Sequence, residues 1–200
     1  SLLRSEQPVK WVSSECWEKN EISGRGRLGT GLQDKRVALL GAGALGSALS
    51  ELLVRGGVDD LTVVDQDVLE AGNLVRHILG MADIGSNKAE AVARRLNQAT
   101  PSAVISGIGR AFPDPLVNLD PADLVIDATG EDNVLLHLQR HAWTLDRWLA
   151  SIWVGMHARR IDPTVVVVEQ GADGDREIER FVGPARGTRD VEVGGRNRRR

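Results

Sequence analysis

Apolar positions along the chain fall into short runs and stripes that alternate in period. Val37-Ala38-Leu39-Leu40 is a continuous apolar run, the pattern of a strand covered on both faces. From Ala44 to Arg55 the period lengthens: Leu45, Ala48, Leu49, Leu52 and Leu53 recur at i, i+3, i+4 spacing and predict an amphipathic helix. Gly56-Gly57 marks its end, and Leu61-Thr62-Val63-Val64 predicts a second strand. Another helix is predicted from Ala89 to Gln98, with Lys88 in its first turn. Strands follow at Ala103 to Ser106 and at Leu124-Val125-Ile126, with glycine- and proline-punctuated loop over 107–121. Asn133 to Trp143 predicts a helix, and Trp148 to Trp153 and Thr164 to Glu169 predict two more strands. Short buried strands alternating with helices imply an α/β fold, an open, mostly parallel sheet with helices on both faces.

The ends are different. Residues 1–35 read as a polar N-terminal extension, with Trp11 and Trp17 as large anchors, a short helix around Val9 to Lys19 and a Gly/Arg-rich linker through Gly24 to Gly31. The patterned region, 36–182, reads as one domain. From Gly183 onward six arginines stand against two acids without apolar pattern, so 183–200 is expected to be disordered or the start of a segment cut off here. The chain opens at Ser1 without Met, as a trimmed chain would.

Composition narrows the function classes. A net charge of −3 gives no general affinity for nucleic acid or anionic membrane, and neither is expected as a partner. No apolar run approaches the ~18 residues of a membrane span, no signal-peptide pattern opens the chain, and a cytoplasmic protein is expected. Cys16 is the single cysteine, which excludes an internal disulfide and a four-cysteine zinc site.

The chemistry gathers at predicted strand ends. Gly41-x-Gly43-x-x-Gly46 lies between the first strand and the first helix, the context in which such a loop binds a phosphate. Gly41 suits a tight turn, Gly43 a close backbone approach to phosphate, and Gly46 helix–strand packing. The helix beyond points free N–H groups at the anion. Asp65, nineteen residues past Gly46 at the tip of the second strand, occupies the ribose-binding position of a Rossmann-like fold. Asp127 closes the fourth strand at the same edge. Arg76 and Lys88 lie beyond Asp65, where a triphosphate calls for cations as its phosphoanhydride bond breaks. Taken singly, Arg76 and Lys88 are more often solvated surface charges, and Asp65 alone a helix cap or turn residue.

The stretch from Asp65 to Lys88 resembles the ThiF/MoeB/E1 superfamily, which activates ubiquitin-like and sulfur-carrier proteins. The shared pattern is Gly41-Ala42-Gly43-Ala44-Leu45-Gly46-Ser47, Asp65-x-Asp67, Asn73-Leu74-x-Arg76, Gly85-x-x-Lys88-Ala89 and Asp127-Ala128-Thr129, covering roughly 33 to 170. The resemblance implies ATP- and Mg²⁺-dependent adenylation of the C-terminal glycine of a small β-grasp protein, with release of pyrophosphate. It makes 36–182 the ATP-binding adenylation domain. It implies that Gly41, Gly43 and Gly46 cradle ATP, that Asp65 holds the ribose, and that Asp67 lines the site. Asn73, Arg76 and Lys88 would contact phosphates, with Arg76, Lys88 and Asp127 as the catalytic set. The family's Asp-x-x-Asp-Asn motif departs here into Asp127-Ala128-Thr129-Gly130-Glu131-Asp132-Asn133, leaving Asp127 and Asp132 as alternative metal ligands.

The family's thioester cysteine and zinc-binding CxxC pairs are not matched in this sequence. Adenylation needs no covalent nucleophile; an autonomous thioester step would need Cys16 or a further segment. The resemblance also implies a homodimer in which Arg25 or Arg27 reaches the partner's phosphates. Leu135, Leu136, Leu138, Trp143, Trp148 and Trp153 offer apolar surface for it. Two rival readings remain: a catalytically inactive docking subunit, and an NAD-dependent oxidoreductase, which leaves Asn73, Arg76 and Lys88 without a role.

Overall fold

Alternate side chains leave a strand on opposite faces, and β1 (Arg36–Leu40) uses both. Val37 and Leu39 enter one core, Ala38 and Leu40 the other. The computed structural model describes residues 11–16, 30–32, 34–100, 102–143, 147–157, 160–170 and 176–182. Around β1 lie β2 (Asp60–Val64), β3 (Val104–Ile108), β4 (Leu124–Asp127), β5 (Arg147–His157), β6 (Arg160–Gln170) and β7 (Arg176–Val182), in the order β3-β2-β1-β4-β5-β6-β7. The pairings from β3 through β5 are parallel, and β6 and β7 add antiparallel. The chain reverses direction across the sheet between β1 and β4, which opens a crevice at the strands' carboxyl ends.

Helices α1 (Ala44–Arg55) and α2 (Lys88–Ala99) cover the face of Val37 and Leu39. Helix α3 (Asp132–Arg140) covers the other, placing Val134 and Leu138 with Val117, Leu119, Trp143 and Leu149. The expected Rossmann-like open sheet, mostly parallel with helices on both faces, is the observed architecture. Among the described residues, no helix is long and apolar enough to cross a membrane.

Several details differ from the pattern-based expectations. The α1 face that meets the sheet is Gly46, Ser47, Ser50, Leu53 and Val54, while Leu52 is exposed. Close approach to the sheet favours small residues there, and the Ser50 hydroxyl is satisfied within its own helix by donating to the Ser47 carbonyl at 2.6 Å. Strand β3 runs through Gly107, expected as loop, because a strand glycine admits a close neighbour. Helix α3 stops at Arg140 rather than at Trp143, and β7 was not anticipated.

Leu138 and Trp143 are buried in this chain's own core, which withdraws them from the apolar surface expected for a dimer; Leu136 and Trp148 remain exposed. Residues 11–16 have no regular secondary structure, and Trp11 is exposed. The rest of the helix expected around Val9 to Lys19, Arg25, Arg27 and the 183–200 tail lie outside the described residues.

The start of β5 is anchored by a buried arginine. Arg147 Nη1 donates to the carbonyls of Leu119, Asp120 and Ala122 at 3.0, 3.3 and 3.1 Å, and its guanidinium lies 4.2 Å from the centre of the Trp143 ring. The loop before β4 is thereby tied to β5.

A Cβ added at Gly107 would lie 2.5 Å from the Ala89 carbonyl oxygen and 2.6 Å from Glu90 Cα, both backbone. Gly107→Ala is therefore expected to cost about 1–3 kcal/mol in urea unfolding. Gly72→Ala, whose Cβ meets nothing within 4 Å, should stay within about 0.5 kcal/mol. Equal stability of the two variants would refute this account of β3.

Candidate functional site

The three motif glycines have three separate reasons. Gly41 takes φ +88°, and a Cβ there would come within 3.0 Å of the Ala128–Thr129 backbone. At Gly46 a Cβ would sit in the Gly41 carbonyl, so the start of α1 rests directly on the loop. Gly43 is different: its backbone is extended (φ −72°, ψ −160°), and an added Cβ would meet nothing within 4 Å. The protein's own packing does not ask for glycine at 43. It leaves a cradle of backbone before the α1 N-terminus, which no side chain caps, and the orphan N–H groups there suit an anion.

The two predicted carboxylates flank this loop. Asp65 Oδ2 accepts from the Ala42 N–H at 2.6 Å and Oδ1 from the Asp67 N–H at 2.8 Å. Each oxygen keeps acceptor capacity, and the residue is partly exposed. Asp127 is 2% exposed and is held more completely. Its Oδ1 accepts from the Thr129 N–H and hydroxyl at 2.9 and 2.6 Å, and its Oδ2 from the Ser151 hydroxyl at 3.0 Å. One lone-pair position on Oδ2 is left. Asp132 is exposed and is the first residue of α3, next to its N-cap Glu131, so it is not the helix cap.

Lys88, 9% exposed, begins α2. Its ammonium pairs with Asp67 Oδ2 at 2.8 Å, and its N–H donates to the Asp67 carbonyl at 2.8 Å. Asn73 and Arg76 lie on a 3-10 helix over Ala71–Arg76. Asn73 Oδ1 accepts from the Glu70 N–H at 3.0 Å, and Arg76 is exposed.

Two residues without an assigned role in the sequence reading tie this segment to the loop. Asn87 caps α2 by accepting from the Glu90 N–H, and its amide donates to the carbonyls of Asp65 and Asp67 at 2.8 and 3.2 Å. An Asn directly before a helix is a readable cap signal; its second role is tertiary. His77 Nε2 lies 2.6 Å from the Ala42 carbonyl oxygen, and Nδ1 accepts from the Leu79 N–H at 3.2 Å. A carbonyl only accepts and an amide N–H only donates, so His77 is neutral with its proton on Nε2. Burial holds its pKa below 6.5, helped by Lys88 and opposed by the Ala42 bond, Asp65 and Asp83.

Among the described residues, no three His, Cys, Asp or Glu side chains gather as a ready-made metal site. A Mg²⁺ that rides on substrate phosphates asks for only one or two protein carboxylates, and the free lone pair of Asp127 or the exposed Asp132 meets that need. Cys16 is exposed.

The model of the ThiF family matches residues 25–156. The ATP-dependent ubiquitin transferase-like protein Cap2 of Enterobacter hormaechei is 36% identical over 152 residues, 74% of this chain and 25% of that protein. The molybdopterin-synthase adenylyltransferase of Escherichia coli is 34% identical over 114 residues, 56% of this chain and 45% of that one. In fold, the chain is similar to Escherichia coli MccB with ATP, with a TM-score of 0.55 and 24% identity over 61% of this chain and 37% of that one. The chain spans about a quarter of the length of the first of these relatives.

The neutral His77 makes a pH prediction. Its native pKa is lowered, so below pH 6.5 the unfolded state binds more protons and stability falls until the native ring titrates. Between pH 7.5 and 5.5, the wild-type protein should therefore lose more stability in urea unfolding than His77→Gln. Equal losses would contradict the neutral tautomer.

Proposed function

The chain belongs to the ThiF family, and we propose that it adenylates the C-terminal glycine carboxylate of a small ubiquitin-like or sulfur-carrier protein, using ATP and Mg²⁺. The observation that carries this reading is the buried Lys88 ammonium held 2.8 Å from Asp67, beside a glycine loop whose helix end is uncapped. An NAD-dependent oxidoreductase has use for the loop and for Asp65 but none for that lysine. The names of the relatives, an adenylyltransferase and an ATP-dependent ubiquitin transferase-like protein, support the same reading.

In this mechanism the triphosphate lies over Gly43 and the α1 N-terminus, and Asp65 accepts from the ribose hydroxyls. The carrier carboxylate attacks the α-phosphorus, a new P–O bond forms, and the α–β bridging bond breaks with its electron pair leaving on pyrophosphate. No proton needs to move and no covalent bond to the enzyme forms. Attack of an anion on an anion is slow for electrostatic reasons, so positioning and fixed positive charge supply the catalysis. Lys88 and Arg76 meet the charge on the departing pyrophosphate, and Asn73 positions it. Asp127 or Asp132 would hold Mg²⁺, which would supply positive charge against the phosphate oxygens. A homodimer in which Arg25 or Arg27 reaches the partner's phosphates, and a cytoplasmic location, belong to the same proposal.

ATP–pyrophosphate exchange, run with a β-grasp protein ending in glycine, tests the reading. Lys88→Ala and Arg76→Ala should each lose at least about tenfold in exchange rate while keeping ATP affinity within about threefold, because their charges act on the transition state. Asp65→Ala should instead weaken ATP by about 2 kcal/mol, the scale of bonds to a charged group. Unchanged exchange in Lys88→Ala would sink the adenylation mechanism.

The metal ligand is decided by the Mg²⁺ dependence of the same exchange. Asp127→Asn should raise the half-saturating Mg²⁺ concentration, since the amide keeps an acceptor for the Thr129 bonds but lacks the charge. Asp132→Asn should leave it unchanged. The opposite pattern would assign the metal to Asp132.

A further inference from the structure

The Ala42–Gly43 peptide sits at the mouth of the cradle, and its orientation decides what the loop offers. A trans peptide points its C=O and N–H in opposite directions. With the Ala42 carbonyl toward the His77 ring, the Gly43 N–H faces the other way; flipped, the same peptide would present a carbonyl oxygen to an anion. Glycine at 43 lowers the steric cost of such a flip, so something outside the loop has to hold the peptide.

We propose that His77 is the positioning residue that holds this peptide with its N–H toward the phosphates; the proposal rests on the nucleotide reading above. Nε2–H donates to the Ala42 carbonyl at 2.6 Å, while the Leu79 N–H on Nδ1 fixes the ring. The Ala42 N–H is held by Asp65 Oδ2 at 2.6 Å, so this fully buried residue is gripped from both sides by groups on one segment, 65–79. Asp65, Asp83 and Lys88 are the charged groups facing the ring; burial, helped by Lys88, outweighs the two carboxylates and keeps it neutral, and a neutral donor can bind a carbonyl without drawing the phosphates toward itself. His77 acts through the backbone and need not touch the nucleotide.

The test is ATP and adenosine affinity of the full chain, wild type against His77→Phe and His77→Gln. Phe keeps the ring volume and loses both hydrogen bonds; Gln carries a donor and an acceptor, as the neutral imidazole does. His77→Phe should weaken ATP about tenfold, the scale of one lost hydrogen bond plus an unmet carbonyl, and leave adenosine within about twofold. His77→Gln should restore ATP binding to within about threefold of wild type. ATP affinity unchanged in a folded His77→Phe, or ATP and adenosine weakened together, would overturn the positioning role while leaving the nucleotide site standing. If Phe prevents folding, a folded His77→Gln that binds ATP tenfold more weakly would overturn it equally. A wild-type chain that binds no ATP would instead remove the underlying reading, and this proposal with it.

Discussion

Backbone meets backbone at the carboxyl end of β1, and the rest of the site depends on that contact. Gly41 is wedged against Ala128 and Thr129 beyond β4, and its carbonyl lies where a Cβ of Gly46 would be. The ends of two neighbouring strands and the first turn of α1 are thus brought to van der Waals distance, with only the Ala128 methyl facing Gly46. Gly41 N–H donates to the Val64 carbonyl and Ala128 N–H to the Leu40 carbonyl, both at 2.8 Å, which locks the loop to the sheet on either side. A larger residue at 41 or 46 would separate the carboxylates of β2 and β4 from the helix end they flank.

Placing several acids at one sheet edge creates a problem of like charge, and each carboxylate has its own answer. Asp65 is stabilised by two backbone N–H groups, Asp67 by the Lys88 ammonium, and Asp127 by two hydroxyls and a backbone N–H. Two kinds of partner, hydrogen-bond donors and an opposite charge, thus hold the three side chains in place.

The period of apolar residues made β1, β2, β4 and both faces of the sheet legible, since burial on two sides forces continuous apolar runs. Gly41 and Gly46 were legible for a related reason: a side chain at either would run into backbone. What escaped depended on contacts between distant segments. Gly107 looks like a loop residue until α2 is known to press on it. Ser151 looks like any serine in a strand until β5 is set beside β4 and its hydroxyl faces Asp127. His77 stands next to Arg76 in a recognisable motif, yet its partner, the Ala42 carbonyl, is a main-chain atom and leaves no trace in residue type. The apolar stripe of α1 is right at Leu49 and Leu53 but misplaced at Leu52, because Gly46, Ser47 and Ser50 take much of the inner face where the helix approaches closely.

The Ser151–Asp127 bond joins register partners on neighbouring parallel strands. Strands slide along their length more readily than they separate, and a slip of β5 by a single residue would replace Ser151 with an apolar neighbour, Ala150 or Ile152. Beyond Ser151 the same strand continues to His157 and carries β6 and β7 in antiparallel pairing. The alignment of that whole ribbon is therefore fixed at two points, the Arg147 guanidinium at the start of β5 and one acidic oxygen at the end of β4. Asp127 works as an index pin for the far half of the sheet.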